Sequence, residues 1–141
     1  MADPAPLRLL AEDADDLAVI SAALQDAVGK VGDIAYEPKA RRLTLALNRY
    51  RWEAGVRQRV RSALQLGGVL KVQTRKVRRE RPDAVVELLA VTFEPGEAPG
   101  GIITLSLAGG GDVRAEVECI DAVLADVSDP WPTPRTPAHE A

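Results

Sequence analysis

The chain has one cysteine and one histidine in 141 residues. Cys119 therefore has no partner for an internal disulfide, and a cysteine–histidine metal site lacks the ligands it needs. The histidine, His139, falls in DPWPTPRTPAHEA, a segment from Asp129 to Ala141 that carries four prolines. Zinc-knuckle and redox-pair chemistry are thus excluded, no metal or cofactor is expected, and Cys119 reads as a small buried hydrophobe. Long apolar runs are also missing. None approaches the roughly 20 residues that span a bilayer, so no membrane association is expected. The opening residues, MADPAPLRLL, have no basic stretch ahead of an extended apolar run and hence no secretory signal, which makes the cytoplasm the expected location.

Catalytic patterns are equally scarce. Ser21, Ser62, Ser106 and Ser128 sit in no nucleophile-elbow pattern, and Cys119 has no base partner in view. Gly109-Gly110-Gly111-Asp112 lacks the lysine and following helix of a phosphate-binding loop and reads as a turn. Glu12, Asp13, Asp15 and Asp16 precede an apolar helical pattern, where carboxylates meet unsatisfied N–H groups; Asp13 is the expected N-cap. Asp121 and Asp126 read as solubilising groups on an outer face. No catalytic residue is assigned, and the inventory weighs against an enzyme.

What is present suits one globular domain, residues 1–128, followed by a proline-rich tail, 129–141, whose Trp131 tacks its start onto the body. Leu17, Ile20, Leu24, Val28 and Val31 step by three or four, which predicts a helix over about Asp13 to Val28. Asp33 to Tyr36, a turn at Pro38 to Arg42, and the alternation of Leu43, Leu45 and Leu47 predict a hairpin. After Leu47 the apolar parity passes to Tyr50 and Trp52, which predicts a bulge near Asn48, the preferred reading, or a strand that bends and buries opposite faces along its length. Val60, Leu64 and Leu66 fit a strand, the preferred reading, while Val56, Val60, Ala63 and Leu64 would group on a helix over Ala54 to Leu66; Gly67-Gly68 predicts a turn, and Leu70, Val72 and Thr74 a following neighbour strand. Ala84 to Phe93 is nearly continuous in apolar residues and reads as a central strand covered on both faces. Ile102 to Leu107 and Val113 to Val117 follow as strands, and Cys119 to Val127 fits either an extended segment, the preferred reading, or a helix. The expected fold is α+β: an N-terminal helix packed on a strongly bent, mainly antiparallel sheet of six or seven strands, with a closed barrel capped by the helix as the alternative. Ile20, Leu24, Leu45, Leu47, Leu89, Val91 and Leu105 are the expected core.

The segments LQDAVGKVGDIAYEPKARRLTLALNRYRWE, LLAVTFEPGEAPGG and GGGDVRAEVECIDAVLADV resemble an uncharacterised family of small alphaproteobacterial proteins, domain of unknown function 2948. The resemblance implies a small cytoplasmic protein. It brings no catalytic residue, cofactor or partner.

The net charge of −3 hides an asymmetry. Lys39 to Arg81 holds 14 basic residues against two acids, a charge of +12, while the remainder holds four against 19, a charge of −15. Arg49 and Arg51, and then Arg57, Arg59 and Arg61, recur at every second residue within each group, with Lys71 and Arg75 expected on a neighbouring strand; these seven are the candidate anion- or partner-binding residues. Such an array could track phosphates, with Tyr50 or Trp52 stacking on a base. It could equally be a solvated strand face balanced by acids such as Glu116 and Glu118, and the pI of 5.2 favours that reading. The expected function is accordingly a non-catalytic protein-interaction or accessory module, binding a protein partner or a second copy of itself. Nucleic-acid binding through Arg49 to Arg75 is the alternative.

Overall fold

The computed structural model describes residues 5–137; His139 lies outside them. Strand β1 (Arg8–Ala11) leads into helix α1 (Ala14–Ala23). There the Asp13 carboxylate accepts the Asp16 backbone N–H at 2.7 Å, the expected N-cap. The helix stops at Ala23, five residues short of the predicted end. Asp26 turns the backbone left-handed at φ +63°, and Ala27–Lys30 continues as strand β2. Tertiary pairing overrides the helical spacing here: Val28 bridges to Asn48 on one side and Glu87 on the other. Gly29 permits that approach, since a Cβ there would lie 2.8 Å from Leu47 Cδ2 and 2.9 Å from the Ala46 carbonyl.

A 3-10 turn (Val31–Asp33) separates β2 from β3 (Ile34–Glu37), which forms the expected hairpin with β4 (Arg42–Tyr50). The remaining strands are β5 (Gln58–Leu66), β6 (Val69–Arg75), β7 (Val85–Pro95), β8 (Gly101–Leu107), β9 (Asp112–Val117), β10 (Ala122–Asp126) and β11 (Trp131–Pro132). All pairings are antiparallel, in the order β1-β10-β5-β4-β2-β7-β8-β9-β6, with β3 added to β4 and β11 to β5. The fold is the expected α+β, among the described residues one N-terminal α-helix on a large antiparallel sheet. Among the described residues the sheet has eleven strands and not six or seven, because several segments of two to four residues pair as strands. It is not a closed barrel. Cys119–Val127 takes the extended reading through β10. Pro-rich composition did not prevent pairing after Asp129: Trp131 and Pro132 sit opposite Arg59 and Gln58, an edge position where proline is tolerated.

One core joins the helix to the sheet. Leu17, Ile20 and Leu24 of the helical segment bury against it, as do Leu43, Leu45 and Leu47 of β4, Leu64 and Leu66 of β5, and Ile103 and Leu105 of β8. Ser21 Oγ accepts the Val91 backbone N–H at 2.9 Å and pins the helix to β7. The bulge expected near Asn48 is absent: β4 and β5 keep one register from Leu43↔Leu66 to Tyr50↔Arg59. A register shift falls instead between Leu88 and Ala90. It puts Leu88 inward with Val91 and leaves Leu89, an expected core residue, 39% exposed. Strand β7 is therefore not covered on both faces. Cys119 is half-buried rather than buried.

Candidate functional site

The expected array divides. Parity along β4 carries Arg49 to the inward face after Leu43, Leu45 and Leu47, and the antiparallel ladder sets it opposite Val60. Arg59 and Arg61 sit opposite Tyr50 and Asn48, on the other face. Arg49 is fully buried, at 0% exposure, and Arg51 is buried beside it, so a solvated face is not what these two residues form.

All five guanidinium donors of Arg49 are used. Nε and Nη2 donate to Asp126 Oδ1 and Oδ2 at 2.9 and 2.8 Å. Nη1 and Nη2 donate to Glu53 Oε1 and Oε2 at 3.0 and 2.7 Å, and Nη1 also reaches the Tyr50 carbonyl at 3.4 Å. Asp126, on β10, further accepts from Ser62 Oγ of β5 at 2.7 Å and from the Leu7 backbone N–H at 2.8 Å. Arg51 donates to Gln58 and lies 3.9 Å from Glu53. Two arginines thus balance two carboxylates at one end of the core, joining β4, β5, β10 and the N-terminal strand.

The electrostatics follow from that geometry. Burial alone disfavours the charged form of Arg49, but its hydrogen bonds to Glu53 and Asp126 outweigh this and raise its pKa. Arg49 holds the Glu53 carboxyl below its ordinary value. Burial pushes Asp126 upward, yet the bonds from Arg49, Leu7 and Ser62 prevail and lower it. With no donor free, Arg49 is committed to holding strands together, and its chemistry is that of a buried ion-pair network.

The other array members have their own partners. Arg57 donates to the Pro134 carbonyl at 3.0 Å and Arg59 to the Asn48 carbonyl at 3.0 Å. Arg61 reaches Asn48 Oδ1 at 3.2 Å and Asp33 at 3.0 Å. Lys71 and Arg75 are not on a neighbour of β5, because β6 pairs with β9. Lys71 sits opposite Glu116, and Arg75 pairs with Asp112 at 3.0 Å. Glu118, expected to balance the array, pairs instead with Arg41. The partners missed by sequence reasoning are Glu53, Ser62, Asp33 and above all Asp126, which had been placed on an outer face. A signal for the buried arginine existed: Arg49 continues the odd-numbered run of Leu43, Leu45 and Leu47.

A second region has a different character. The 3-10 turn lets β2 bridge β4 to β7 while β3 stays on β4 alone. Its outer edge, and the outer edge of β6, meet no strand among the described residues. Between them lies a cleft of about 390 Å³ lined by Ile34, Tyr36, Leu43, Val72, Val77 and Arg79 among others. At the start of β6, Tyr36 Oη donates to the Val69 carbonyl at 3.0 Å and the Val69 N–H donates to the Arg41 carbonyl at 2.8 Å. The N–H groups of Val31 and Gly32 donate to the Ala84 and Pro82 carbonyls, each at 2.9 Å.

Among the described residues no group of histidine, cysteine, aspartate and glutamate side chains is arranged to hold a metal, and no helix is long and apolar enough to cross a membrane. Fold and site together define a small α+β module: a large antiparallel sheet fastened by a buried ion-pair network, with the edges of β3 and β6 open beside a cleft. The chain belongs to the family described as "Protein of unknown function (DUF2948)", whose profile matches residues 7–139. Comparison with curated proteins and with solved structures finds no match.

Proposed function

We propose that this protein is a non-catalytic accessory module of the cytoplasm that binds another protein, and that it does so at the cleft between β3 and β6. The observation that carries the reading is the pair of strand edges without strand partners on either side of an apolar-floored cleft. Free edges offer rows of backbone donors and acceptors to an extended chain, and a cleft beside them offers a pocket for its side chains. The candidate array supports this choice indirectly, since Arg49, Arg51, Arg59, Arg61 and Arg75 spend side-chain donors within the chain. That leaves the strand face poorly equipped to track a phosphate backbone.

The test is to select ligands from a random library of displayed linear peptides and map the bound peptide by backbone amide shifts. Shifts concentrated at Ile34–Glu37 and Val69–Arg75 are expected. A nucleic-acid module would instead bind mixed oligonucleotides at submicromolar affinity, weaken steeply with salt, and lose binding on reversal of Arg57, Arg59 and Arg61 to glutamate. That result would replace the proposal.

A further inference from the structure

We infer that the segment bound in this cleft is acidic and extended, and that it seats an apolar side chain between β3 and β6; this rests on the interaction-module reading above. Three features point to that chemistry. The floor is apolar, built from Ile34, Leu43, Val72 and Val77, and about 390 Å³ is small among ligand sites of roughly 300–1,000 Å³. It suits an anchoring side chain rather than a folded element. The flanking edges are those of strands, so the backbone they match is extended.

The third feature is charge. Arg79 lines the cleft, and Arg78 and Arg81 lie in the same exposed loop. Among the described residues none of the three has an ion pair or a side-chain hydrogen bond. Elsewhere arginines are matched with acids: Arg42 with Glu37 at 3.1 Å, Arg61 with Asp33 at 3.0 Å, Arg75 with Asp112 at 3.0 Å. Within the loop, Asp83 lies 3.8 Å from Lys30, which leaves Glu80 as the one acid against three arginines. In a protein with a net charge of −3, an unmatched cationic loop, with Arg79 in the cleft wall and Arg78 and Arg81 lining a separate depression of the same loop, attracts an acidic ligand and rejects a basic one. Residues 76–84 contain no aromatic side chain, and the aromatic that lines the cleft, Tyr36, is half-buried with its hydroxyl tied to the Val69 carbonyl, so the loop offers single-stranded nucleic acid no row of stacking platforms.

The peptide selection should be run in parallel on the parent and on an Arg78→Ala, Arg79→Ala, Arg81→Ala variant. Those side chains are exposed and without partners, so the variant's thermal melt should match the parent's. Peptides enriched on the parent should combine an apolar residue with an excess of acids and shift the amides of β3 and β6. Their affinity should fall about tenfold in the triple variant, by analogy with exposed ion pairs of modest individual strength. It should also fall on raising salt from about 0.05 to about 0.5 M. Val72→Lys, which puts a charge on the cleft floor, should abolish binding while the protein stays folded. Peptides that shift the same amides without acid preference, and bind the triple variant equally well, would sink the acidic partner and leave the interaction reading standing. A chain that dimerises through β3 and β6 would make a second copy the occupant and overturn the inference. Failure to enrich any peptide, or shifts confined to other strands, would overturn both.

Discussion

Arg49 is one side chain on which four chain segments depend. Its charge is fully buried and its fork is bidentate to two carboxylates, so removing either acid leaves two of its N–H donors without an acceptor and two buried arginines against one carboxylate. Asp126→Ala is expected to destabilise the fold by roughly 3–5 kcal/mol in urea melts. Arg75→Ala, which breaks a pair whose arginine is well exposed, should cost at most about 1 kcal/mol. Equal effects would mean that the buried network carries no special weight. The same network predicts acid sensitivity. Glu53 and Asp126 titrate lower in the fold than in the unfolded chain, where such carboxyls lie near 4. Their contribution is therefore fully present above about pH 5 and is lost as pH falls through the folded values. The urea midpoint should drop from about pH 5 to about pH 2.5, and less steeply for Asp126→Asn. Parallel declines in parent and variant would place the acid sensitivity elsewhere.

At the scale of elements, β7 shows how one extra residue redirects a strand. The shift between Leu88 and Ala90 exchanges the positions that alternation alone assigns, so two adjacent leucines have different fates. Leu88→Ala should cost roughly 2–5 kcal/mol, as for a filled core position, and Leu89→Ala less than about 1 kcal/mol. The reverse order would restore simple alternation and remove the bulge. The end of α1 obeys a similar rule. Residues 27, 29 and 31 are buried at every second position, a strand period hidden under the helical spacing of Val28 and Val31. What decides between the two periods is the neighbouring β7, against which residues 27–30 pair in full.

For the whole molecule, the single core spans the helix and almost every strand, so one cooperative melt is expected. Within it the sheet is uneven. Strands β4 and β5 are bounded by strands on both sides, whereas β1 and β6 end the sheet. Hydrogen exchange should be slowest in β4 and β5 and markedly faster in β6. Protection of β6 equal to that of β5 would mean that its outer edge is covered, which would count against the cleft as a binding site.

The sequence by itself determined the class of fold, the N-cap at Asp13, the β3–β4 hairpin, the hairpin turn at Gly109–Gly111, and most of the core, because each rests on local periodicity, capping or turn chemistry. It also held the clue to Arg49, in the unbroken parity of β4. Only the tertiary structure decided where that parity led. Whether an inward arginine meets carboxylates depends on Asp126 arriving 77 residues later through the β5–β10 register, and no local pattern encodes that meeting. The same holds for the halves of the arginine array, which share a spacing but lie on opposite faces because the antiparallel ladder sets residue 49 against residue 60. The cleft is likewise nonlocal, since β6 follows β5 directly in the chain yet pairs with β9 at the far edge of the sheet, leaving its free side turned toward β3.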